Sequence, residues 1–279
     1  MPSAFLPDRA LIRVTGADAE HFLQNLVTTD LSAVGRHEAW PGALLTPQGK
    51  ILFDFLIWRD DAAFLIETVE AVQEALIRRL TLYKLRAAVE ISVAGAAGMT
   101  VFWGEDAAAD DIRDMRFAAA GVTLLRRAGQ HSDGAAAAYH ALRILNGIVE
   151  SGLDFELQDA FPHDVLLDLN RGVSFKKGCY VGQEVVSRMQ HRGTARRRVV
   201  IVSSAEPLPE TGTVITAGGK PLGQLGTVAG SRGLAIVRTD RVGDALATGT
   251  DILTGDTAVS LVLPAWSGLS FPTTASEEA

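Results

Sequence analysis

A single cysteine, Cys179, stands in 279 residues. One sulfur cannot close an internal disulfide, nor can it build an all-cysteine metal or iron–sulfur site from one chain. The six histidines, His21, His37, His131, His140, His163 and His191, are scattered, and none pairs with the cysteine at metal-ligand spacing. No Gly-rich phosphate loop and no nucleophile elbow occurs, so nucleotide-enzyme and hydrolase chemistry lack their usual frame. Apolar runs are broken by charge within about ten residues, too soon to cross a bilayer. The opening MPSAFLPDRALIRVTG carries neither the apolar core of an export signal nor the Arg- and Ser-rich, acid-poor character of a transit peptide. These absences lead us to expect a reducing cytoplasm, no membrane role and a monomer. Positive charge is also short: the net charge of −7 argues against general attachment to nucleic acid.

What is present is core. Hydrophobic residues make up 47% of the chain, and its length favours two or three lobes over one. Residues 10–14 read as a strand, and Gly16 with Asp18 opens a helix whose Phe22, Leu23 and Leu26 share a face. Residues 43–46 and 51–58 read as a hairpin about Pro47, Gln48, Gly49 and Lys50. Asp54 interrupts that second strand. A carboxylate inside an apolar run is costly unless it is paired, faces water or works on a ligand. A helix over 69–83 and strands at 89–93 and 100–103 complete a small mixed sheet, while 105–116 reads as a solvated linking helix. A helix from Ala135 ends at Asn146 and Gly147. Residues 152–163 form a loop in which His163 is a candidate base. Residues 165–169 and 173–175, with a turn between them, deliver the chain to Cys179. After Gly193, short β-type stretches at 196–203, 212–217, 223–229, 233–237 and 256–263 predict a small barrel.

Polar density peaks at 176–193. Gly182 and Gly193 bracket a short helix, Glu184 lies in its first turn, and Arg188, His191 and Arg192 lie toward its end. Cys179 thus sits just before a helix N-terminus and beside Lys176 and Lys177, two features that favour thiolate over thiol. A buried, inert cysteine is the other reading. Arg188, His191, Arg192, Arg196, Arg197 and Arg198 together favour an anion site, for a folate tail, phosphate or RNA. No aromatic interleaves them to stack on single-stranded bases.

The run KGCYVGQEVVSRMQHRG, residues 177–193, resembles the signature of the YgfZ family. These are folate-binding relatives of the glycine-cleavage T-protein that are linked to iron–sulfur cluster assembly or repair. Gly16 to Ala19, Phe22 to Gln24 and Thr29 with Asp30 are similar to the T-protein opening, and residues 142–147 to its Ser-Leu-Arg-Leu-Glu-Ala-Gly segment. The chain departs from that pattern twice: Phe53 precedes Asp54 where the T-protein has two acids, and Asn146 stands near the glutamate that binds the pterin. The resemblance implies an α+β, T-protein-like, multi-lobed fold with mixed sheets and helices. It would span residues 1–194, followed by a β-barrel at 195–265 and a polar tail at 266–279. It implies tetrahydrofolate, or a derivative, as cofactor, held by Asn146, Arg143, Lys177, Tyr180, Gln183, Glu184 and Arg188. Cys179 and Asp54 would be the chemical groups. An iron–sulfur cluster would be transient, with external ligands and a carrier or client protein as partner. Two further functions remain open: a tetrahydrofolate-dependent aminomethyl or methyl transferase, and an RNA-binding helper of tRNA modification.

Overall fold

A computed structural model describes residues 2–95, 97–104 and 111–272. The chain divides into two units, one formed by Met1–Tyr139 with Leu167–Ser187 and the other by His140–Leu166 with Arg188–Ala279.

In the first unit, β1 (Ser3–Leu6) and β2 (Arg9–Thr15) precede α1 (Ala19–Gln24). β3 (Glu38–Leu45), β4 (Ile51–Asp60) and β5 (Ala63–Val69) lead to α2 (Glu70–Lys84), β6 (Glu90–Ala94) and β7 (Met99–Trp103). β8 (Ile112–Asp114), α3 (Met115–Ala118) and β9 (Leu124–Ala128) follow, and α4 (Ala136–Asn146) starts here. The nine strands form one sheet in the order β1-β7-β9-β8-β3-β4-β5-β2-β6. Only the β3 and β8 neighbours run parallel. β4 is an interior strand, the sixth of the nine, and its residues 55–58 are all buried, as expected of a strand covered on both faces. The linking helix expected over 105–116 is partly corrected: residues 111–116 hold β8 and the start of α3, and 105–110 lie outside the described residues.

Residues 165–175 carry the chain toward Cys179 without regular structure. The segment is a series of turns in which Leu166 and Arg171 take left-handed backbone, at φ 62 and 68. Its apolar residues, Val165, Leu166, Leu167 and Val173, are buried as single anchors without forming a ladder.

The second unit contains the C-terminal β-barrel. α5 (Gln183–Arg192) leads into β10 (Arg197–Ser203), β11 (Val214–Ala217), β12 (Lys220–Ala229) and β13 (Arg232–Arg238). Then come α6 (Thr239–Thr248), β14 (Ile252–Thr254), β15 (Thr257–Ala258) and β16 (Ser260–Val262). The order is β15-β14-β11-β12-β13-β10-β16, around a core that includes Val200, Ile215, Leu225, Val237 and Leu261. α6 was not expected. Val242 and Ala245 pack it onto this core, and Gly249 stops it in the left-handed region. Among the described residues no helix is long and apolar enough to cross a membrane.

Candidate functional site around Cys179

Three segments of the first unit are sewn together beneath Cys179. Residues 27–29 run beside β3: the Thr28 amide donates to the Ala43 carbonyl at 2.9 Å, and the Ala43 amide donates to Thr28 Oγ1 at 2.9 Å. The loop leading to Cys179 then crosses residues 27–29. Thr28 Oγ1 donates to the Gly172 carbonyl at 2.6 Å, and the Ser174 amide donates to the Thr28 carbonyl at 2.9 Å. Lys177 completes the stitch, its Nζ donating to the Val27 carbonyl at 2.8 Å and the Thr29 carbonyl at 2.7 Å. Burial pulls the Lys177 ammonium down to about 8, against the pull of the Asp30 carboxylate. Burial also works on Asp30, but hydrogen bonds from Ser32 and Gln24 and the charge of Lys177 hold it below its ordinary value.

Cys179 itself is free and exposed. Its neighbour Tyr180 is only 6% exposed. The Lys177 Nζ lies 5.5 Å from the centroid of the Tyr180 ring, a cation–π distance. The Tyr180 hydroxyl is buried with no hydrogen-bond partner among the described residues, and burial pushes it up to about 12. A buried orphan hydroxyl costs about 1–3 kcal/mol, so it stands out as a group in want of an acceptor or donor.

The helix after Cys179 is fixed by two glycines. A Cβ on Gly182, at φ 79, would fall 2.5 Å from the Thr46 carbonyl oxygen; one on Gly49, at φ 79, would fall 2.9 Å from Val185 Cβ. The β3–β4 hairpin turn and the start of α5 therefore meet backbone to backbone, where no side chain fits. Gln183 and Glu184 open α5 at this contact. Asp54 lies on β4, half-buried and opposite Ala43, flanked by the buried Phe53 and Phe55.

The second unit treats its expected ligand residues differently. Arg143 is fully buried: its Nη1 donates to Asp154 Oδ2 at 2.7 Å and to the Ile148 carbonyl at 2.8 Å, and its Nη2 donates to Thr227 Oγ1 at 3.0 Å. Asp154 also accepts from the Thr227 amide at 2.7 Å. An arginine so enclosed ties α4 to the barrel strand β12 and has no face left for a ligand carboxylate, which corrects its expected role. The Asn146 Nδ2 donates back to the Leu142 carbonyl at 2.8 Å, leaving one side-chain oxygen as acceptor. His163 is 1% exposed with Nε2 at 3.1 Å from Gln190 Oε1, a structural setting for what the loop offered as a base. The basic run also divides: Arg197 pairs with Asp159 at 3.0 Å and the buried Arg198 donates to the His163 carbonyl at 2.7 Å, while Arg188, His191, Arg192 and Arg196 are exposed. Arg197 and Arg198 are thus spent on the fold.

Sequence reasoning missed a buried charge network in the first unit. Glu67 on β5 accepts from Arg9 Nε at 2.8 Å and Arg126 Nε at 2.7 Å, and Asp114 accepts from Arg126 Nη1 at 2.9 Å and Arg116 Nη2 at 2.7 Å. Burial raises both carboxyls, yet the guanidiniums hold each below its ordinary value. The signal was the one that singled out Asp54: charged residues inside apolar strands, here Glu67 in FLIETV and Arg126 in LLRRA.

Comparison with known proteins agrees with this architecture. The model of the CAF17 C-terminal beta-barrel domain matches residues 196–269. The glycine cleavage system aminomethyltransferase T of Bartonella henselae superposes with a TM-score of 0.73 at 16% identity, covering 94% of this chain and 84% of that one. The chain is 32% identical to the mitochondrial iron–sulfur cluster assembly factor IBA57 of Homo sapiens, over 85% of its own length and 77% of that relative. The chain belongs to the IBA57 family. The Mus musculus IBA57 is also 32% identical, over 94% and 84% of the two chains. The aminomethyltransferase-like, multi-lobed α+β fold with a terminal barrel is therefore as expected. The family name needs adjusting: IBA57 and CAF17 are what match, where the signature alone suggested YgfZ. The cytoplasmic expectation is overturned, since the IBA57 relatives are named mitochondrial and point to that compartment. It had rested on one unpaired cysteine and on an opening without export or transit character, and a reduced thiol suits any reducing compartment equally well.

Proposed function

We propose that the chain is an iron–sulfur cluster assembly factor whose Cys179 makes direct contact with the cluster in transit. The observation that carries this reading is the mounting of Cys179: the only cysteine, exposed, on a loop locked by Lys177, Thr28 and the Gly182 contact. A cysteine needed only as packing would be buried. Among the described residues no three His, Cys, Asp or Glu side chains converge as a metal set. The cluster is therefore cargo: Cys179 loses its proton and supplies one thiolate, and a carrier or client protein supplies the others. The relatives' printed function, iron–sulfur cluster assembly, supports the same reading.

A tetrahydrofolate derivative is the resident ligand we propose beside this loop. The orphan Tyr180 hydroxyl and the Lys177 ammonium fit a group with both acceptors and donors. Gln183 and Glu184 follow at the start of α5. Arg143 plays no part. When bound, the folate would supply a flat, polar-edged surface; Lys177 and Tyr180 would orient it. Aminomethyl transfer is the weaker alternative, because Phe53 replaces one of the paired acids and Asn146 the glutamate.

The test is restoration of an iron–sulfur client enzyme in cells deprived of their own IBA57. The full chain should restore it and Cys179→Ala should not, although Cys179→Ala accumulates to the same level. Full restoration by Cys179→Ala would overturn the direct role.

A further inference from the structure

A cleft of about 540 Å³ in the first unit is lined by Arg36, His37, Trp58, Arg59, Asp60, Asp61 and Ile112. That volume lies within the range of about 300–1,000 Å³ usual for small-molecule sites. The cleft shares no residue with the Cys179 loop, and nothing proposed for that loop uses it.

Its charges separate into two classes. Arg59 is spent: it grips Glu20 with both guanidinium nitrogens, at 2.8 and 3.0 Å, donates to the Leu31 carbonyl at 2.8 Å and lies over Phe64. Asp60 is spent on Arg13. Among the described residues, by contrast, no side-chain hydrogen bond or ion pair engages Arg36, His37 or Asp61. Among the described residues the cleft therefore offers one guanidinium and one carboxylate with no charge partner, an imidazole beside the guanidinium in sequence, and Ile112 with the edge of the otherwise buried Trp58 as apolar wall. Both ends are rigidly based. His37, at φ 59, immediately precedes β3, and its carbonyl accepts from the Arg113 amide at 2.8 Å. Asp61, at φ 51, opens the two-residue turn between the paired Asp60 and Ala63.

We propose that this cleft binds a zwitterionic amino acid or short peptide, its carboxylate on Arg36 and His37, its ammonium on Asp61 and its apolar side chain against Trp58 and Ile112. A simple anion would meet the Asp61 carboxylate with nothing to answer it, and a simple cation would meet Arg36; a ligand carrying both charges satisfies both. A metal ion is not the ligand, as no set of three donors converges among the described residues.

The experiment titrates L-leucine into the full chain by calorimetry and saturation-transfer NMR. Two analogues each lack one charge: 4-methylpentanoate has no ammonium and 3-methylbutylamine has no carboxylate. L-leucine should bind at millimolar concentration or below, with each analogue weaker by about tenfold, the loss of one charge-assisted contact. Arg36→Ala should lower L-leucine affinity by a similar factor while sparing 3-methylbutylamine. Asp61→Asn should do so while sparing 4-methylpentanoate; Asn accepts the left-handed backbone, so the turn survives. The proposal is overturned if L-leucine fails to bind, if either analogue binds as tightly as L-leucine, or if both substitutions leave its affinity unchanged.

Discussion

Replacing Lys177 by methionine should change how stability depends on pH. In the folded chain burial brings this ammonium from its ordinary 10.5 to about 8. Below pH 8 both folded and unfolded chains hold the proton, and the folded state bears the full cost of a partly desolvated charge. Between about 8 and 10.5 the unfolded chain still binds a proton that the folded chain has released, so stability rises with pH across that window. Taken at face value, the difference amounts to about 3 kcal/mol. Solvent still reaches this half-buried side chain, and screening reduces the figure to about 1–2 kcal/mol. About half of it should appear between pH 7 and 9.5 as a rise of the wild type relative to Lys177→Met. At pH 7 the variant should still be the less stable, by about 1 kcal/mol, because the Val27 and Thr29 carbonyls lose their donor. Urea unfolding of both proteins at a series of pH values measures this. Parallel stability curves for the two proteins would refute the reasoning, since every other titrating group is shared.

Two further substitutions separate the frame from the loop. Glu67→Gln leaves Arg126 and Arg9 buried with one carboxylate fewer, and should cost about 3–5 kcal/mol in urea unfolding. A cost under about 1 kcal/mol would show that the network contributes little. Gly182→Ala places a methyl 2.5 Å from the Thr46 carbonyl in backbone that alanine disfavours. It should cost about 1–3 kcal/mol and speed amide hydrogen exchange at Gln183 and Glu184, and unchanged exchange there would contradict the close backbone contact.

Local chemistry carried the legible part of this fold. Hairpin turns, strand alternation and the two glycines that bracket α5 are all signals within a few residues of what they specify. Arg143 shows where such reading stops: its partners lie 11 and 84 residues away, and nothing in LRILNG distinguishes an enclosed arginine from one that faces a ligand. The buried triad of Arg9, Glu67 and Arg126 is equally non-local. α6 was missed because its Thr- and Gly-containing sequence, TDRVGDALAT, has weak helix propensity and is held by packing of Val242 and Ala245. Within residues 165–175 the expected turn lies in a longer run of turns, with left-handed backbone at Leu166 and Arg171 that no pattern of apolar residues announces. The signature at 177–193 located the loop but could not separate YgfZ from IBA57, which required most of the chain.

The most direct measurement is optical and Mössbauer spectroscopy of the full chain mixed anaerobically with a cluster-loaded carrier protein. The account predicts a cluster species that requires this chain, with charge-transfer features distinct from those of the loaded carrier alone, altered in Cys179→Ser and reverting to the carrier's own spectrum in Cys179→Ala. A spectrum identical for the wild type and both variants would contradict it.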